Sequence, residues 1–429
     1  MNIFRHPDKS EWAALVQRPR FDLHALEETV QKIIDDVASL GDAAVRSYSK
    51  KFDGYGTGIL EVSEEEIGNA PDEVSGELKR AIEVAHRNIR TFHEKQVQQT
   101  EVIETVAGVR CWQKPVPISK VGLYIPGGSA PLFSTVLMLG IPAKIAGCGE
   151  VILCTPPGIH GKVDASILYT AGLLGIDRVF RVGGVQAIAA MAYGTESIPA
   201  VNKIFGPGNQ YVTMAKQLVS QEKVAIDIPA GPSELAVVAD HASNPAFIAS
   251  DLLSQAEHGP DSQVLLITDS EKMIDSVQDE IQRQLEGLPR KEIASKALNN
   301  SKIILLKNQG EVMELVNMYA PEHLIIATRN YSVLAGQVIN AGSVFLGDYT
   351  PESAGDYASG TNHTLPTNGW AHAFSGINMD SFFKKITFQE ISRDGLTNIG
   401  DSIMTMANAE ELRAHSNAVS IRLSHNDDA

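Results

Sequence analysis

Between Lys120 and Leu346 the chain alternates short β-rich apolar runs with stretches of helical spacing, and glycine or proline marks the joints. The first set of runs is Val121–Ile125, Val151–Cys154, Val179–Val182 and Lys203–Phe205. A second set follows at Glu234–Ala239, Gln263–Thr268, Lys302–Leu306, Leu324–Ala327 and Ser343–Leu346. Strands that alternate with helices at this spacing predict parallel sheets joined by crossover helices. The first 120 residues read as mainly helical. Leu23 to Leu40 places apolar residues at helical spacing and stops at Gly41, and Glu64 to Glu94 predicts one or two amphipathic helices. The chain returns to a helical pattern near its end and finishes in a polar tail, Ser424 to Ala429.

The predicted fold is therefore α/β. It has two Rossmann-like parallel-sheet units, a helical N-terminal region and an extended helical C-terminal tail. The units are incomplete as Rossmann folds, because no GxGxxG fingerprint is present. We divide the chain into an N-terminal arm (1–22), a first α/β domain (23–120 with 233–376), a second α/β domain (121–232) and a tail (377–429). Pro229-Ala-Gly-Pro232 is the expected crossing between the two α/β domains. A length of 429 residues agrees with more than one folding unit.

Charge narrows the function classes. Lys and Arg number 36 against 52 Asp and Glu, a net charge of −16, which disfavours nucleic acid as a partner. An anionic cofactor remains compatible, since backbone N–H groups at helix ends hold phosphates whatever the global charge. The longest charge-free stretch, Val121 to Ala143, matches the roughly 20 residues of a membrane span. It also carries Pro126, Gly127, Gly128, Pro131, Gly140 and Pro142, which break a lipid-exposed helix, so no membrane segment is expected. The N-terminus lacks the basic-then-apolar plan of a signal peptide. Cys111, Cys148 and Cys154 form neither a disulfide framework nor a CxxC pair. A reduced, cytoplasmic protein is the expectation.

Five places carry candidate chemistry. Three glycine-rich turns follow strands: Pro126–Ser129, Gly183–Gln186 and Gly206–Asn209. Such corners offer N–H donors to a pyrophosphate, or they simply turn the chain tightly. Asn244 and Pro245 open a helix that Gly259-Pro260 closes, with Gln255 and His258 three apart on one face. The stretch Asp348 to His363 offers Asp356 as an oxygen ligand, or as part of an Asx turn. Ala409 to His415 reads as a helix with two carboxylates and a histidine, which also fits a solvated surface. Mixed nitrogen and oxygen donors without thiolate suit zinc or a neighbouring first-row ion. Finally, Glu322 and His323 follow Pro321 at the mouth of a strand, a general acid–base pair or an exposed turn. Adjacent strand residues point to opposite faces, so both serve one site only where the backbone is irregular.

Beyond spacing, several blocks resemble histidinol dehydrogenase: Val121 to Pro131, Phe205 to Asn209, Ala230 to Glu234, Asp251 to Asp261, Ala320 to Leu324 and Gly355 to Pro366. The resemblance runs in order over nearly the whole chain. It implies an NAD-dependent oxidation of L-histidinol through L-histidinaldehyde to L-histidine, the end of histidine biosynthesis, with one zinc per subunit. It matches the family's zinc ligands to Gln255, His258, Asp356 and His415, and its catalytic pair to Glu322 and His323. Family substrate contacts fall on Ser233, His363 and Glu410, besides His323 and the zinc ligands. Positions near NAD fall on Tyr124, Gln186 and Asn209. The resemblance places most metal and catalytic residues in the first α/β domain and NAD in the second. It also implies a homodimer with exchanged segments, the C-terminal tail supplying Glu410 and His415 to the other subunit.

The mechanism expected on this basis has zinc orient the imidazole and amino nitrogens of the substrate, His323 accept the hydroxyl proton, and Glu322 activate the water that hydrates the aldehyde. A thiohemiacetal on Cys148 is the competing route, but the sequence gives that cysteine no neighbouring base. The competing functions are a related dehydrogenase of another amino or hydroxy alcohol, a zinc hydrolase without NAD, and a non-catalytic small-molecule binder.

Overall fold

All nine strands expected between Lys120 and Leu346 form in the computed structural model, which describes residues 1–18, 23–56, 58–127, 130–228 and 231–425. In chain order the strands are β1 (Asn2–Arg5), β2 (Val102–Val106), β3 (Val109–Pro117), β4 (Lys120–Tyr124), β5 (Glu150–Thr155), β6 (Arg178–Arg181), β7 (Lys203–Phe205), β8 (Ala225–Ile226), β9 (Glu234–Ala239), β10 (Gln263–Thr268), β11 (Lys302–Leu305), β12 (His323–Ile326), β13 (Ser343–Leu346) and β14 (Phe383–Ile391). They build two parallel sheets, β6-β5-β4-β7-β8 and β1-β11-β10-β9-β12-β13, and one antiparallel sheet, β14-β3-β2. Residues 19–22, Gly128-Ser129, Pro229-Ala230 and 426–429 lie outside the described residues. Parts of the expected N-terminal arm, the first glycine turn, the domain crossing and the polar tail therefore fall there.

The chain separates into two compact units, Met1–Gln96 with Ile118–Phe382, and Val97–Pro117 with Phe383–Ala429. In the first unit, β9 and β10 are buried at every residue, as expected of parallel strands covered on both faces. One face packs Leu235, Val237, Val264 and Leu266 against the Pro245–Ala256 helix through Ile248, Leu252 and Leu253. The other packs Ala236, Val238, Leu265 and Ile267 against Val312, Leu315 and Val316.

Three sequence expectations are corrected here. The N-terminal arm is not separate: β1 pairs with β11 and extends the six-stranded sheet. The Leu23–Leu40 helix does not join residues 233–376. Its apolar stripe (Leu26, Val30, Ile33, Ile34, Val37) buries against Val185, Ile188 and Met191 beside the five-stranded sheet, because the Gly184–Tyr193 helix is apolar almost all round and must be covered. Residues 97–117 and the tail are not purely helical either. In the second unit, a hairpin turning at Ala107-Gly108 pairs with β14, and the Arg393–Ala409 and Arg413–Ser424 helices pack on each other.

The charge-free stretch becomes the end of β4 and a buried helix, Phe133–Ala146, that tolerates Pro142. Among the described residues no helix is long and apolar enough to cross a membrane.

Candidate active site and metal centre

One topological switch point frames the candidate NAD positions. In the five-stranded sheet the chain steps outward from β4 through β5 to β6 and then returns to the other side of β4 at β7. Ligands of parallel sheets bind outside the carboxyl ends of the strands at such a point. Tyr124 ends β4, and the Gly206–Asn209 turn follows β7. A side-chain carbon on Gly206 would meet the Tyr124 carbonyl oxygen at 2.0 Å, so only glycine allows the two strand ends this approach. The Tyr124 hydroxyl, buried, accepts from the Gly184 N–H at 3.1 Å. Gln186 is buried in the helix that Gly184 opens, and its amide donates to Asp53 at 3.3 Å. Asn209 caps the Gln210–Ser220 helix, accepting from the Tyr211 and Val212 N–H groups. All three candidate NAD positions thus lie at the carboxyl side of this sheet.

The acid–base pair sits at the amino ends of the six-stranded sheet. The Gln309–Tyr319 helix stops at Ala320, whose φ of 50° is left-handed. Pro321 then turns the chain, and β12 begins only at His323. This irregular entry lets the two adjacent side chains meet: His323 Nδ1 lies 3.6 Å from Glu322 Oε2. Both are buried. One neighbouring residue fixes each of them. The Glu234 N–H donates to Glu322 Oε2 at 2.9 Å, and His323 Nδ1–H donates to the Glu234 carbonyl at 3.3 Å. The tautomer with hydrogen on Nδ1 leaves the lone pair on Nε2, which has no hydrogen-bond partner and lies 3.9 Å from Asp356 Oδ1. Burial, with His258 and His363 near, holds the His323 imidazole down to about 3, so it is neutral at neutral pH, with the Nε2 lone pair free. Burial, then the nearby Glu234 and Asp356 carboxylates, pushes Glu322 well above the usual carboxylate range.

Next to this pair is a set of donors facing one another. His258, Glu352 and Asp356 bring ligand atoms within 4.8 Å of one another. Gln255 is fully buried and neither amide atom has a partner; neither oxygen of buried Glu352 has one. A buried polar atom without a partner costs about 1–3 kcal/mol. Buried carboxylates add to that cost: burial raises Asp356 to about 6 and Asp251 to about 7. A divalent cation relieves both strains at once, and these nitrogen and oxygen donors without thiolate fit zinc. His363 stands beside Asp356, its Nε2 3.2 Å from Thr135 Oγ1 and its Nδ1 3.0 Å from the Asp356 carbonyl. Ser233 immediately precedes Glu234 at the start of β9.

Local structure differs from expectation at three of these positions. The Pro245–Ala256 helix ends before His258, which extends its last turn through a bond from its N–H to the Gln255 carbonyl. Asp356 belongs to a short helix, Glu352–Tyr357, and not to an Asx turn. No single helix spans Ala409–His415. The chain breaks at left-handed Glu411, which leaves exposed Glu410 at one helix end and exposed His415 in the first turn of the next. Both residues belong to the second unit. Glu352, Asp251 and Glu234 are the residues that sequence reasoning missed. The first two were detectable: Glu352 stands four residues before Asp356, and Asp251 four before Gln255, each on the shared helix face.

A family model described as histidinol dehydrogenase matches residues 16–423. The chain belongs to the histidinol dehydrogenase family. The histidinol dehydrogenase of Bacteroides thetaiotaomicron is 60% identical over 423 residues, 99% of each chain. That of Escherichia coli is 53% identical over 412 residues, 95% of this chain and 94% of the other. A crystal structure of histidinol dehydrogenase from Elizabethkingia anophelis matches the fold with a TM-score of 0.97 at 52% identity, over 99% of this chain and 98% of that one. In this family member the competing thiol route lacks support. Cys148 is buried, and burial pushes its thiol up to about 11, away from the reactive thiolate. Cys148→Ala is expected to keep most of the dehydrogenase activity, within about threefold of the parent in steady-state NADH formation, since free buried cysteines act as small hydrophobes. Near-complete inactivation of a folded variant would reinstate the thiohemiacetal.

Proposed function

We propose that the chain oxidises L-histidinol to L-histidine in two successive NAD-dependent steps. The observation that carries this reading is the convergence of the Glu322–His323 pair with unpartnered Gln255 beside His258 and Asp356. Gln255, His258 and Asp356 would hold zinc with His415, and zinc would supply Lewis-acid orientation of the substrate nitrogens. NAD, near Tyr124, Gln186 and Asn209, would accept the hydride of each step. On this reading residues 121–232 serve NAD and residues 233–376 serve metal and substrate.

The rest follows from the side chains. His323 Nε2 takes the hydroxyl proton as the alcohol carbon is oxidised. Its Nδ1–H stays on the Glu234 carbonyl and fixes the ring. Glu322, held by the Glu234 N–H, removes a proton from the water that hydrates the aldehyde. Ser233, His363 and Glu410 contact the substrate. The assay is NADH formation from histidinol and NAD, before and after chelation and after zinc return. Turnover that depends on returned metal is expected, and metal-independent hydrolysis without NADH would overturn the reading.

The proposed assembly is a homodimer in which Glu410 and His415 complete the other subunit's site. Supporting it, the antiparallel sheet of the second unit leaves Val102, Ile103, Val106, Ile386, Phe388 and Ile391 exposed. Mixing a His415→Ala chain with a His258→Ala chain is expected to restore roughly a quarter of parent activity on random pairing. Half of the dimers are then hybrid, and each has one intact site. Activity that stays at the level of the separate variants would remove the shared site.

A further inference from the structure

One residue's backbone grips both members of the acid–base pair, and what holds that residue lies outside the site. Glu234 opens β9 and is buried, with its side chain turned away from His323 toward Arg18. Arg18 Nε and Nη2 donate to the two Glu234 carboxylate oxygens at 2.6 and 2.8 Å. The Gly369 N–H donates to the same carboxylate. Arg18 also reaches the segment that leads into the catalytic pair. Its Nη2 donates to the Tyr319 carbonyl at 2.6 Å, and its guanidinium lies over the Tyr319 ring at 4.0 Å. The fully buried Tyr319 hydroxyl donates to Gln263 Oε1 at 3.0 Å, at the start of β10. Tyr319 is followed by left-handed Ala320, Pro321 and then Glu322.

We propose that Arg18 and Glu234 are positioning residues, a clamp that sets the separation of the β9 and β12 entries and so aims Glu322 and His323. The planar, bidentate geometry accounts for arginine at this place: its fork engages a carboxylate while one nitrogen still reaches a carbonyl, which a lysine ammonium cannot reproduce. Neither side chain touches the metal donors or the substrate. The clamp acts through the two backbone bonds of Glu234 and through the segment entering β12, whose Tyr319 carbonyl Arg18 holds and whose Glu322 N–H donates to the Glu234 carboxylate, so loosening it misdirects the His323 ring and the Glu322 carboxylate together. The proposal rests on the acid–base roles given above.

The test compares Arg18→Lys and Glu234→Gln, both near in size to the parent residue, with Arg18→Met as the stronger change. In folded dimeric protein with parent zinc content, kcat for histidinol is expected to fall on the order of 10–100-fold, as for small misplacements of reacting groups. KM is expected to stay within about threefold, because the metal donors Gln255, His258 and Asp356 make no bond to Arg18 or to the Glu234 side chain. Nitrogen NMR of the His323 ring, identified by its loss in His323→Gln, should report hydrogen on Nδ1 in the parent and mixed tautomers in Glu234→Gln. That signal needs no turnover, so it stands even if histidinol proves not to be the substrate. Parent kcat and an unchanged His323 signal in the folded variants would overturn the clamp. So would a loss of activity that only tracks the fraction of folded protein.

Discussion

Glu322→Gln is expected to slow oxidation of histidinaldehyde by about 10²–10⁴-fold, the usual contribution of a general base, while histidinol oxidation to the aldehyde loses far less. The amide keeps the shape of the carboxylate and still accepts from the Glu234 N–H, so the buried position remains filled and bonded. What disappears is the proton acceptor for water. Hydride cannot leave an unhydrated aldehyde to give the acid, so only the second step depends on that acceptor. The first step uses His323 Nε2, whose lone pair is fixed by the hydrogen bond on the opposite ring nitrogen. Single-turnover NADH formation, begun once from histidinol and once from the aldehyde, separates the steps. Equal losses in both would remove the division of labour between the two residues.

His258→Ala is expected to weaken zinc binding by more than about 100-fold, since changes merely next to a metal ligand already cost 10–100-fold. Activity should disappear at limiting zinc. The side chain lies exposed at a helix end, so the protein should still fold. The decisive measurement is thermal. Chelation should lower the Tm of the parent, because a ligand held at 100 times its Kd stabilises the native state by about 2.7 kcal/mol. It should leave the Tm of the variant unmoved. A variant that binds zinc as tightly as the parent would show that His258 is no ligand.

The strands were legible because parallel strands buried on both faces must be apolar along their length, and runs such as Glu234–Ala239 and Gln263–Thr268 stand out from their surroundings. Glu322 and His323 were legible for a related reason: a proline before an acid and an imidazole at a strand mouth is unusual backbone chemistry. Other features left no such trace. Glu352 is almost wholly buried, yet in sequence a buried carboxylate looks the same as a solvated one. β14 finds its partner about 270 residues earlier in the chain, and both its faces are largely exposed, so no periodicity announces it. The β2–β3 hairpin was within reach, since β-branched residues flank Ala107-Gly108. The docking of the Leu23–Leu40 helix was not, because a stripe states that a face is covered and not by what.

His323 is the first residue of β12, paired in register with Leu235 of β9 on one side and Ser343 of β13 on the other. Side chains along a strand alternate between faces, so a slip of one residue would carry the imidazole through the sheet to the far side. A slipped molecule would keep its helices, much of its apolar burial and its far-ultraviolet spectrum, and it would be inert. Turnover per folded chain therefore measures strand alignment during folding, and in this protein it can serve as an assay of refolding fidelity where spectroscopy is blind.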